Sequence, residues 1–245
     1  MSALLKAELL KLRTTRTFFA LIGSGLALSL LLLILGTLLG NDFSKSDVRS
    51  SFAGDFTGIF ILLLGAMGMA GEWRHRTITS AVLAAPDRLK LIAAKAISYA
   101  IAGMVVSFVV TASLMLVGTI ILSSRGETTL DAATLLDVMW RNLATAAYLG
   151  AIGVAVGAIV RSQVGAIIGL ILFPLIVETA LFALVPDVGK FSPINGVTSG
   201  LANLSPDSGA DFSFLDPQIA ALVMVGWVTV LLAAGAVLLR RRDLT

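Results

Sequence analysis

The sequence has no cysteine, a single histidine and few charges. Without cysteine, neither disulfides nor thiolate metal sites can form. With His75 alone, histidine-clustered metal sites and any mechanism needing two imidazoles are excluded as well. Charged residues are 13% of the 245, against about one-quarter in an ordinary soluble domain, which is too few to cover a water-exposed globule. Recognisable catalytic motifs are also missing. The one Gly-Lys pair, Gly189-Lys190, is followed by Phe191, so no G-x-x-x-x-G-K-[ST] phosphate loop exists. No H-E-x-x-H or G-x-S-x-G motif occurs. If the protein does work, its energy enters from elsewhere.

What is present is apolar surface. Hydrophobic residues make up 57% of the chain and the mean hydropathy is +0.96. Six apolar runs stand out, at roughly 18–39, 53–70, 91–122, 138–160, 164–185 and 219–239. Each is near or above the roughly 20 residues that cross a bilayer core of about 30 Å. The runs are continuous rather than alternating, which disfavours a β-barrel. The expected fold is all-α, a polytopic membrane helical bundle with six transmembrane helices forming one domain over 1–245. The first run is too long for a signal-peptide core, and further spans follow it. The third run is long enough to place its first turns, around Lys95, in water or headgroups.

Ahead of the first span, Leu5, Leu9 and Leu12 recur at helical spacing, while Lys6, Lys11, Arg13 and Arg16 serve the polar side. That pattern predicts an amphipathic interfacial helix over 1–17, in contact with membrane lipid. With both termini inside, the inner segments hold thirteen cations and the outer ones only Lys45, Arg49, Arg125, Arg141 and Lys190. The positive-inside rule therefore puts both termini in the cytoplasm. It also explains the net charge of +3 without a nucleic-acid partner. The inner connection at 72–95 is basic. The outer segment at 186–218 is rich in Gly, Pro, Ser and Asp, and its "INGVTSGLANL" has the makings of a short surface helix.

Few residues within the spans invite chemistry. Glu178 is the most conspicuous, because a carboxylate in hydrocarbon must face a cavity, find a partner or protonate. It and Pro174, which should kink or unwind the fifth span, are candidates for a translocation path. Asp55 reads as an interfacial charge at a helix N-terminus. The pairs Gly36/Gly40, Gly153/Gly157 and Gly165/Gly169 have the spacing that lets helix backbones approach closely. His75, between Arg74 and Arg76 with only Glu72 for acidic company, is read as a headgroup-level or partner-facing residue.

The connection "GEWRHRTITSAVLAAPDRLKLIAAK" says more. Topology accounts for its cations but not for the apolar, helix-capable centre from Ile78 to Ala85, which should bury against bilayer or partner. The stretch resembles the segment after the second span in permease subunits of ABC-2 type ABC transporters. Their pattern runs acidic residue, basic residues, Gly-Thr, a short helix with paired Leu, Pro, a basic residue and a Lys. Glu72, Thr77, Leu83, Pro86, Arg88 and Lys95 match it, and Arg76 stands where the family often has Gly. The amphipathic start, the six spans and the extended outer segment fit the same family.

The resemblance implies a non-catalytic subunit of an ATP-driven exporter in a bacterial plasma membrane. It would pair with a second permease copy, identical or not, and with separate ATP-binding cassette subunits that carry ATP and Mg. This chain itself would bind no cofactor. A coupling helix around Ile78, Val82 and Leu83 would dock on the ATPase, flanked by Glu72, Arg76, Thr77, Pro86 and Arg88, and the short turn at Arg161 would make a second contact. The alternatives are a self-contained secondary carrier, which would need several ionisable residues within the spans, and a membrane sensor or immunity protein.

Overall fold

The long apolar runs fold into helices whose ends are fixed by short polar side chains. A computed structural model describes residues 2–75, 77, 87–204 and 213–241, and among these all regular structure is helical. In chain order the helices are α1 (Ser2–Thr14), α2 (Arg16–Leu39), α3 (Lys45–Ala53), α4 (Thr57–Arg74), α5 (Arg88–Ser124) and α6 (Ala132–Val160). They continue as α7 (Gln163–Leu184), α8 (Pro186–Gly189), α9 (Asn195–Ala202) and α10 (Pro217–Arg241). Asp87 starts α5 by accepting from the Leu89 and Lys90 amides, and Asp131 starts α6 by accepting from the Thr134 amide. Ser162 starts α7 through the Gly165 amide. Each cap satisfies amides that the helix itself leaves open.

Among the described residues six helical segments are long and apolar enough to cross a membrane: Arg16–Leu39, Lys45–Arg74, Arg88–Ser124, Ala132–Val160, Gln163–Leu184 and Pro217–Leu239. The six-span expectation holds, with one refinement. Upstream of the expected second span lies α3, opened by a capping box in which Ser44 and Asp47 bond each other's amides. Gly54, Asp55 and Phe56 then separate it from α4. The short helix expected in "INGVTSGLANL" forms as α9.

Helix α6 is the centre of the bundle. In its most apolar stretch 61% of residues are buried, against 17% for α2 and α7, so those two are peripheral and α6 is enclosed. Small residues permit this. A Cβ added at Gly153 would lie 2.1 Å from the Leu62 carbonyl oxygen, and one at Gly157 would lie 2.6 Å from that of Ala66. On the other side of α6, a Cβ at Gly150 would meet the Tyr99 carbonyl oxygen at 2.6 Å. The Gly153/Gly157 pair thus joins α6 to α4 with backbones nearly touching. The other pairs differ, since Gly36 and Gly169 have open space where a side chain would stand.

Pro174 does unwind the fifth span locally. Residues Phe173–Glu178 form a π-helical turn between the α-helical stretches Gln163–Leu172 and Thr179–Leu184. Proline has no amide to give the preceding turn and clashes with the carbonyl four residues back, and a wider turn relieves both.

The bundle has two distinct ends. One gathers α1 and the end of α10: α1 reaches α4 through Lys11 and Glu72 at 3.2 Å, and Arg88 at the start of α5 donates to the Leu239 carbonyl near the end of α10. At the opposite, far end sit α3, α9 and the turn between α5 and α6. There Arg49 pairs with Asp137 at 2.9 Å, Arg141 donates to the Leu201 carbonyl at 2.6 Å, and Arg125 donates to the Thr37 carbonyl.

Candidate functional site

At the terminal end, four charged side chains from three helices form one cluster. The Lys95 Nζ lies 2.7 Å from a Glu8 oxygen and 2.7 Å from a Glu72 oxygen. Lys11 Nζ sits 3.0 Å from Glu8 and 3.2 Å from Glu72. Lys95 is 1% exposed and each carboxylate 7%, whereas Lys11 is 58% exposed and faces outward. Two acids and two bases make the cluster neutral as a whole, with Lys95 buried between the carboxylates and Lys11 closing it at the surface, and such pairing lets ionised groups persist in a low-dielectric interior. Burial pushes the Glu8 carboxyl up, but the Lys95 and Lys11 ammoniums more than offset it, and its pKa lies below the ordinary 4.5. Burial pulls the Lys11 ammonium down, yet its bonds to Glu8 and Glu72 leave it above the ordinary 10.5.

Whatever surrounds the first turns of α5, the Lys95 side chain itself does not face solvent: it is packed between α5, α1 and α4. The reason is chemical. A lysine read alone in sequence needs water, but two carboxylates brought to it by other helices take water's place. Glu72, grouped in sequence with the coupling residues, is 6% exposed and faces inward, tying α1 to α4 and α5.

Two connections between helices meet beside the cluster. Arg161, with φ of 58°, turns the chain from α6 into α7 and lays its guanidinium 4.8 Å from the Trp73 ring centroid. The Arg74 guanidinium donates to Gln163 at 3.2 Å. Thr77 is exposed, and its amide donates to the Glu72 carbonyl at 2.9 Å. The structure therefore brings the Glu72 end of α4 to the Arg161 turn, while Arg88 joins α5 to the end of α10. Arg76, Ile78, Val82, Leu83 and Pro86 lie outside the described residues.

At the far end, the reason for the charge at Glu178 becomes clear. Its side chain is fully buried and accepts from the Ile194 amide at 2.8 Å and the Asn195 amide at 2.6 Å. These are open amides at the start of α9, where a carboxylate is stabilised by both hydrogen bonds and helix dipole. The residue thus acts as a cap supplied by another helix. Pro174 lines a cavity of about 480 Å³ bounded by α4, α6, α7 and α9, and Glu178 does not. The wall of that cavity includes Asp55, whose carboxylate accepts from the Thr57 amide at 3.1 Å, Thr111 at 3.0 Å and Asn142 at 3.4 Å.

Sequence reasoning did not find Glu8, Thr111 or Asn142. Glu8 falls on the face shared by Leu5 and Leu12, and an acid on an otherwise apolar stripe was the available signal. Asn142 sits inside an apolar run, where a polar amide asks for partners. It finds them in the Phe52 carbonyl at 2.9 Å and Thr111 at 3.2 Å.

The six long apolar helices and the glycine-packed core define a multi-pass helical membrane protein. A family model described as ABC-2 family transporter protein matches residues 45–244. The chain belongs to this ABC-2 transporter family, as the stretch from Glu72 to Lys95 led one to expect. A search of curated proteins found no match.

Proposed function

We propose that the chain is the permease of an ATP-driven exporter, with its termini in the cytoplasm and its energy supplied by a separate ATP-binding cassette subunit. The observation that carries this reading is the meeting of two inner connections at one place. Arg161 against Trp73 and Arg74 against Gln163 tie the α6–α7 turn to the exit of α4. A single partner surface then reaches both. The segment from Ile78 to Ala85 is the docking helix in this reading, and the Glu8–Lys11–Glu72–Lys95 cluster carries its displacement into α1 and α5. Family membership supports the transport role, and the thirteen-to-five bias in cations supports the orientation. A second permease copy completes the path.

Affinity purification from the native membrane in mild detergent tests the partnership. A soluble ATPase subunit should co-purify, with activity that depends on the permease. Transport in proteoliposomes lacking any ATPase would refute it and favour a self-contained carrier. The variant Leu83→Asp should insert normally yet lose coupling, read as ATPase activity no longer stimulated by the permease. Unchanged coupling in that variant would leave the connection a topological anchor only.

A further inference from the structure

The cavity at the far end has a composition that selects one charge. Among the described residues its lining contains one carboxylate, Asp55, and no Lys, Arg or His. Among the described residues no cation lies within ion-pair distance of Asp55, although Arg49, Arg141, Arg125 and Lys190 all belong to the same end and are bonded elsewhere. Its bonds come from neutral donors only, the Thr57 amide, the Thr111 hydroxyl and the Asn142 amide. The positive end of α9 borders the cavity too, but Glu178 already answers it. Among the described residues the one ionisable group on the wall is thus an acid. A carboxylate removed from bulk water without a cation is costly, and a cation entering the cavity recovers much of that cost.

The rest of the wall fixes the shape of the occupant. Phe56, Ile59, Leu149, Ile171 and Leu175 supply apolar wall, and Thr145, Asn195, Thr198 and Ser199 set neutral polar groups among them. The volume of about 480 Å³ is within the roughly 300–1,000 Å³ of small-molecule sites, which pair apolar walls with a few placed polar groups. We propose that this cavity is a binding site for an amphipathic organic cation, with its ammonium or guanidinium on Asp55 and its apolar body against Phe56, Ile59 and Leu175. As a statement about exported cargo it rests on the permease reading above; as a statement about binding it does not.

The test uses the full chain in lipid nanodiscs with rhodamine 6G as a fluorescent cationic probe, followed by polarisation. Displacement by 4-phenylbutylamine is compared with displacement by 4-phenylbutan-1-ol, which has the same body and no charge. The amine should displace the probe at a concentration at least tenfold lower than the alcohol. In Asp55→Asn that preference should fall below about threefold, and Asp55→Glu should keep it. Equal potency of amine and alcohol in the wild type, absence of probe binding, or a preference that survives Asp55→Asn would each overturn the proposal. The wild-type comparison needs no variant to fold. Because binding is measured without an ATPase, a failure here leaves the co-purification result standing, and a failed co-purification leaves a charge-selective cavity intact.

Discussion

Replacing Lys95 by methionine removes the one cation that touches both buried carboxylates. Methionine roughly keeps the volume, so the change isolates charge from packing. Each carboxylate oxygen lies 2.7 Å from the Lys95 ammonium, so twice that distance, about 5.4 Å, is the farthest apart they can lie. Two like charges at that separation repel by about 3 kcal/mol at an effective dielectric constant of about 20. Breaking a buried ion pair by deleting one partner costs about 3–5 kcal/mol by general experience, and the two figures agree. Lys11 remains, but it is largely exposed and solvent screens it. At about 2–4 °C per kcal/mol for a chain of this size, Lys95→Met should lower the melting midpoint by about 6–20 °C. The assay is intrinsic tryptophan fluorescence of the detergent-solubilised chain during heating. Adding Glu8→Gln to Lys95→Met should recover part of the loss by removing the repulsion. A Lys95→Met midpoint within about 3 °C of wild type would refute the reasoning, since it would mean that water reaches these groups.

Glu8 and Glu178 give two further tests. The folded pKa of Glu8 lies below its ordinary 4.5, so its contribution is fully present above that value and is lost as pH falls through the folded one. The melting midpoint should therefore drop on acidification below about pH 4.5, and less steeply in Glu8→Gln. At the other extreme Lys11, raised above 10.5, contributes fully below that value and less as pH climbs past its folded one. Glu178→Ala should cost about 2–6 kcal/mol of stability, because it leaves two α9 amides without their acceptor at about 1–3 kcal/mol each. Glu178→Gln, which keeps one acceptor, should cost less and leave transport in proteoliposomes intact. Loss of transport without loss of stability in that variant would return Glu178 to a role in proton movement.

The spans were legible because each is a long apolar run, and apolar length is a local property of sequence. Both π-helix and glycine packing were partly legible for the same reason: Pro174 announces a broken helix, and Gly153/Gly157 announce a close approach. Which glycine pair would be used was not, since Gly36/Gly40 has the same spacing and Gly36 faces open space. The ion cluster was hidden in a different way. Glu8, Glu72 and Lys95 are far apart in the chain, and each alone has an adequate explanation as an interfacial or topological charge. Only folding brings them within hydrogen-bond distance. Asp55 was read as a helix-start charge, and its bond to the Thr57 amide agrees; its place in a cavity wall depends on α6, α7 and α9 and leaves no mark nearby. The capping box at Ser44 and Asp47 was a readable signal for α3 that the apolar-run criterion passes over.

The wide turn in α7 also works as a register keeper. Its inward-facing residues Ala166, Leu170, Pro174 and Glu178 recur every four positions. A regular helix of 3.6 residues per turn advances such a series by about 40° at each step, so an uninterrupted one would carry the fourth member about 120° away from the first. The π-helical stretch takes back part of that drift and leaves Glu178 aimed at the start of α9. The number of residues between Phe173 and Glu178 is thus as constrained as their identity. Loss of one residue there would swing the carboxylate toward lipid and release α9, a harsher outcome than most substitutions in the same stretch.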